Sequence, residues 1–294
     1  MAAGWARLRL TDLLGAAGVF SGRAPVPRVA VPPDALPDDV AATLAGLPEP
    51  VRRGVLDPLG RADPPGRVGD PVPLLLPSLT GRTTRARQVD ETTCGSAVLA
   101  VLALAGDPRL AVRLARATDP AAAFAALQHS VKRATVRTRG DVPAWPASLG
   151  TPPWGAARVA RYGAVRFTHR VVPDLPRSGS GRVSVWSGIL DAVRAGIPVP
   201  LYTGGDLGRG LGTAVPRHVV LLVSVGRPDG GREELARVYE PASGMLHAVP
   251  FGALRAPDAS DGGHADDAPA RAARLAALGG WPHVTWALLP SGPP

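Results

Sequence analysis

From Ala97 to Ala105 the chain reads Ala-Val-Leu-Ala-Val-Leu-Ala-Leu-Ala, with no polar side chain. A helix that is apolar on every side has no face to offer water and must be enclosed by other elements. Whatever this chain folds into therefore has to surround that helix. Gly106 ends it as a C-cap residue, and Asp107-Pro108 opens the next helix. Further helices are expected over Asp38–Leu47, Pro108–Ala117, Pro120–Ala134 and Ala156–Tyr162, with Asp119 as an N-cap ahead of Pro120. At 294 residues the chain is long enough for a core of that kind.

The second half has a different pattern. His218 to Val225 is a strong central strand, and Leu235–Tyr239 and Met245–Val249 flank the turn Glu240-Pro-Ala-Ser-Gly244 as a hairpin. Val165–Val172 and His283–Leu289 are strand-like, and Ser184–Ala195 is helical. Ile197 to Tyr202 also reads as a strand, but Pro198 and Pro200 push it to a sheet edge or leave it partly irregular. Residues 256–270 read as an Asp/Gly/Ala-rich loop. Helices first and an antiparallel sheet second give an α+β class, a helical half packed on a sheet. Residues 1–80 are rich in proline and glycine, with one strand-like stretch at Val72–Leu76, and read as a loosely ordered arm; residues 81–294 form the main domain.

Charge and cysteine usage narrow the function classes. The net charge of +9 invites a nucleic-acid partner. Yet Lys132 is the only lysine among 33 basic residues, the arginines are dispersed, and only 4% of residues are aromatic. No nucleic-acid partner is expected from such a distribution. A single cysteine excludes an intramolecular disulfide and any zinc site built on several thiolates, and no cofactor is implied. The apolar run Leu13–Phe20 is short and broken by two glycines, so it resembles neither a signal peptide nor a membrane span. A cytoplasmic location is the default.

That cysteine lies in Gln88-Val-Asp-Glu-Thr-Thr-Cys94-Gly95, directly ahead of the apolar helix. A thiol at a helix N-terminus meets the positive end of the helix dipole, which favours thiolate. Gln88, one loop earlier, has an amide suited to holding an oxyanion. A thiol nucleophile needs a base and a group that orients the base. His218 opens the most apolar strand, directly after the Gly/Pro-rich loop from Gly204 to Pro216. Glu240, at the end of the following strand, is placed to reach back to the imidazole.

Gln88, Cys94-Gly95, the buried helix, Pro198-Val199, His218-Val-Val and Tyr239-Glu-Pro-Ala-Ser-Gly244 together resemble the papain-like cysteine peptidases. Within that group they are most similar to the bacteriocin-processing (double-glycine leader) peptidases and their uncharacterised bacterial relatives. The resemblance covers about residues 84–250. It implies a papain-like fold, a peptide or protein substrate, Cys94 as nucleophile, His218 as base, Glu240 as orienting acid and Gln88 as oxyanion donor. The family's acid is usually aspartate, so glutamate here adds a methylene.

Other candidates carry less. Asp90 and Glu91 would oppose a thiolate if they faced it, and are expected to cap the helix instead. His247 and His283 are expected to pack or face outward, and His264 sits in an acidic surface loop. The glycines at 204–210 precede no helix that would receive a phosphate, and the loop 203–217 reads as a mobile cleft wall. The tryptophans are expected as core or cleft walls. The same residues also suit a transamidase, or a binding module of the same fold without activity.

Overall fold

A computed structural model describes residues 9–22, 36–79, 81–137, 146, 148, 150–173, 185–207, 213, 215–228, 233–255 and 268–291. Ten helices are described: α1 (Leu10–Ala16), α2 (Asp38–Ala45), α3 (Glu49–Leu56), α4 (Cys94–Gly106), α5 (Pro108–Ala115), α6 (Pro120–Val136), α7 (Pro153–Val159), α8 (Val185–Arg194), α9 (Phe251–Arg255) and α10 (Ala268–Ala277). Seven strands accompany them: β1 (Val72–Pro73), β2 (Arg166–Val171), β3 (Val199–Gly204), β4 (His218–Gly226), β5 (Leu235–Glu240), β6 (Met245–Pro250) and β7 (His283–Ser291). They form one antiparallel sheet in the order β1-β6-β5-β4-β3-β7-β2. The class is α+β.

The sheet has a core on each face, because alternate strand residues point to opposite sides. On one face Tyr202, Val219, Leu221, Val223 and Tyr239 pack with α4, α5 and α7. On the other, Leu201, Val220, Leu222 and Val238 pack with α8, α9 and α10. Helices therefore cover both faces, rather than one helical half lying on a sheet. The α4 run from Ala97 to Leu102 is buried throughout, with α6 along one side and β4 beneath. Val40, Leu44, Val55, Leu59, Leu74 and Leu76, from the proline-rich N-terminal region, belong to the same core cluster.

Several elements differ from the sequence reading, and the helices α3 and α9 are not expected from it at all. The prolines at 198 and 200 do not place β3 at an edge, since it lies between β4 and β7, but its ladder to β7 is irregular between Tyr202 and Thr203. The ladder to β7 begins only at Leu201, so the missing Pro200 N–H falls ahead of that pairing. The strand-like stretch at 72–76 pairs as a strand only at Val72 and Pro73. The end of the 256–270 loop is instead the start of α10; residues 256–267, including His264, lie outside the described residues, as does Trp145. Among the described residues no helix is long and apolar enough to cross a membrane.

Candidate active site

α4 begins at Cys94 because the four residues before it form a tight hydrogen-bonded turn. The Thr93 hydroxyl accepts from the Asp90 N–H (2.9 Å) and donates to the Asp90 carbonyl (2.8 Å), and the Asp90 carboxylate accepts from the Thr92 N–H (2.7 Å) and hydroxyl (2.6 Å). Asp90 thus caps its own turn and not the helix amides. Gly95 is required by packing: a Cβ there would lie 2.7 Å from the Thr151 Cβ. The first turn of α4 is pressed against Thr151, whose carbonyl accepts from the Tyr202 hydroxyl at 3.1 Å.

Cys94 and His218 line one small cavity of about 120 Å³, with Thr151 and Tyr202 at its floor and the exposed Glu91 and Arg217 at its rim. His218 is placed by the first pairing of β4 with β3, opposite Thr203. Behind the ring stands Gly279, in the turn after α10, with φ +67°. A Cβ there would come within 2.3 Å of His218 Cδ2. The Thr203 hydroxyl donates to the Leu278 carbonyl (3.0 Å) and fixes that turn to β3.

Glu240 meets the imidazole directly: Oε1 lies 2.8 Å from His218 Nε2, and both side chains are buried. The backbone of the following turn holds the carboxylate in place, since Oε1 accepts from the Ala242 N–H and Oε2 from the Ser243 N–H, each at 2.7 Å. The extra methylene of glutamate is taken up by this fold-back onto its own turn. Burial works against the Glu240 charge, but the bonds from His218, Ser243 and Ala242 outweigh it and bring its pKa down to about 2. Burial likewise works against a charged His218, yet its interactions with Cys94 and Glu240 carry its pKa from 6.5 up to about 9. The imidazole is thus a cation at neutral pH, with its Nε2 turned to Glu240. Tyr202, wholly buried, is kept protonated by burial and by the neighbouring sulfur.

Comparison with known family models, curated proteins and solved structures finds no match.

Of the four residues singled out in the sequence, the structure brings Cys94, His218 and Glu240 together. Gln88 is placed differently. Its amide Nε2 donates to the Asp90 carbonyl at 3.0 Å, its Oε1 is buried without a partner among the described residues, and it does not line the cavity. Its backbone N–H donates to the Pro241 carbonyl (2.9 Å), which ties the cysteine loop to the Glu240 turn. His247 and His283 are buried, and His283 pairs with Asp206 at 3.2 Å. Thr151, Tyr202 and Gly279 escape a reading of sequence because their roles are tertiary. Gly279-Gly280 after an alanine-rich helix was the one visible signal, a C-terminal turn pattern. Among the described residues no group of three metal-binding side chains occurs.

Proposed function

We propose that this chain is a thiol-dependent amide hydrolase of papain-like design, acting on peptide or protein amides. The observation that carries the reading is the His218–Glu240 pair at 2.8 Å, buried against the cavity that holds the only cysteine. Glu240 occupies Nε2, which leaves Nδ1 for the sulfur. A cationic imidazole and the N-terminus of α4 stand at the thiol, the electrostatic setting that a sulfur nucleophile uses.

In the reaction the Cys94 sulfur attacks the amide carbonyl carbon and the carbonyl π pair moves to oxygen. The oxyanion is held by the Cys94 backbone N–H in the first turn of α4. His218 gives its proton to the leaving nitrogen as the C–N bond breaks, leaving a thioester on Cys94. Water then attacks the thioester while His218 takes a proton from it, and the carboxylic acid and the thiolate are released. Glu240 holds the ring orientation throughout, as the acid of a triad does. The Gln88 amide joins as a second oxyanion donor only by leaving the Asp90 carbonyl.

The test uses the sole cysteine. Iodoacetamide at pH 6 is expected to alkylate the native protein much faster than free cysteine, with mass spectrometry placing the adduct on Cys94. A fluorogenic peptide-amide library is expected to be cleaved by the native chain and not by Cys94→Ala. Alkylation no faster than free cysteine, together with no cleavage, would overturn the proposal.

A further inference from the structure

An acidic loop is an unfavourable approach to a thiolate, and the chain has Asp90 and Glu91 within four residues of Cys94. The structure shows what offsets one of them. Gln128 and Lys132 stand one helical turn apart on α6, at i and i+4, and so share one face. Gln128, buried, grips the loop backbone twice: its Oε1 accepts from the Val89 N–H (3.1 Å) and its Nε2 donates to the Arg87 carbonyl (2.9 Å). Lys132 Nζ donates to the Thr92 hydroxyl, which in turn donates to Asp90 Oδ1 at 2.6 Å. The cation is thereby carried to the carboxylate through one hydroxyl. Lys132 is also the only lysine in a chain that otherwise uses arginine throughout. A compact ammonium suits a site closed in by Thr92, where a planar five-donor fork would not be interchangeable with it.

We propose that Lys132 is a positioning residue for Cys94: with Gln128 it clamps the loop 87–93 onto α6 and neutralises Asp90, so that this carboxylate does not oppose the thiolate. The assignment rests on the reading of Cys94 as nucleophile. Burial of Asp90 works against its charge, but bonds from Thr92 and the Lys132 cation hold its carboxyl below the ordinary range. The other titratable groups around the sulfur are His218 and Glu240 from the strands, Tyr202 beneath, and Glu91 and Arg217 at the rim. Among the described residues Lys132 bonds Thr92 and acts on Asp90, so pairing its removal with Asp90→Asn reads the contribution of the Asp90 charge.

The experiment compares iodoacetamide alkylation of Cys94 across pH in the native chain, Lys132→Met, Asp90→Asn and the double variant Lys132→Met/Asp90→Asn. Lys132→Met is expected to slow alkylation at pH 6 by roughly three- to tenfold, the effect of one nearby like charge left unneutralised, and to move the rate profile to higher pH. Adding Asp90→Asn is expected to restore most of the rate, which a merely structural role for Lys132 would not allow. Native rates in Lys132→Met, or rates equally low in the single and double variants, would overturn the assignment. Should Lys132→Met fail to fold, Lys132→Gln with and without Asp90→Asn makes the same comparison. The two readings part cleanly. Slow alkylation of the native chain counts against the hydrolase, whereas the ratio of variant to native rates tests the clamp in either case.

Discussion

At the scale of single residues, Glu240 carries the most information. Its carboxylate is anchored by two turn amides and by His218. Glu240→Gln keeps the shape and removes the charge that, alongside Cys94, holds the imidazole cationic. Turnover of a cleaved peptide amide is expected to fall by about 10²–10⁴, as when the acid of a triad is amidated. A fall below about threefold would remove Glu240 from the proposed mechanism.

The same pair sets a pH window for stability. His218 has a raised folded pKa, so its contribution is complete below 6.5 and is lost as pH rises through about 9. Glu240 has a depressed one, so its contribution is complete above 4.5 and is lost as pH falls towards about 2. The pair therefore stabilises most between about 4.5 and 6.5. Thermal melting across pH should show a decline above pH 7 that Glu240→Gln reduces, since Cys94 also raises the His218 pKa. Gln88 gives a contrasting prediction. With its amide bonded to the Asp90 carbonyl, Gln88→Ala should cost less than about tenfold in turnover, short of the 10²–10³ for an aimed oxyanion donor. A loss of the larger size would show that the amide swings to the oxyanion once substrate is bound.

At the scale of elements, the legible parts were those whose signal is local. The apolar helix, the hairpin of β5 and β6, and the capped helices at Pro108 and Pro120 lie where periodicity and caps put them. Cys94 and His218 could be picked out because each sits at an element boundary, next to a loop that marks it. The centrality of β3 could not be read, since proline rules weigh a strand alone and the neighbour that covers it, β7, arrives about 80 residues later. α10 was missed for a related reason. Its buried face is Ala273, Arg274 and Ala277, too small and too polar to show as an apolar stripe. Yet α10 delivers the turn that backs His218. Gly279→Ala is expected to push the ring off Glu240, because the added methyl falls on Cδ2 and the left-handed φ is strained for alanine. The expected result is turnover reduced at least tenfold with a melting temperature lowered by only a few degrees, the order of about 1–2 kcal/mol in a domain of this size. Unchanged turnover would mean that the imidazole is held by Glu240 alone.

At the scale of the whole molecule, the sheet stands between the two cores, and the site lies across their boundary. Cys94 belongs to α4 on one face; His218 is backed from the other by the turn after α10. β7 joins β3 to β2 and supplies Val284, Trp286, Ala287, Leu288 and Leu289 to the two cores. A chain ending at Pro282 is therefore expected to lose cooperative melting and fast alkylation together. Cooperative melting retained without β7 would show that the sheet from β1 to β3 closes by itself.

The position of β7 also sets an order in time. A ribosome releases Cys94 about 200 residues before the strand that completes the sheet, an interval on the order of 10–40 s at ordinary elongation rates. Through that interval the sulfur has neither the backed imidazole nor the finished cleft beside it. Under the proposed function, a nascent chain of this design carries its sulfur in an unarmed form until β7 has been made.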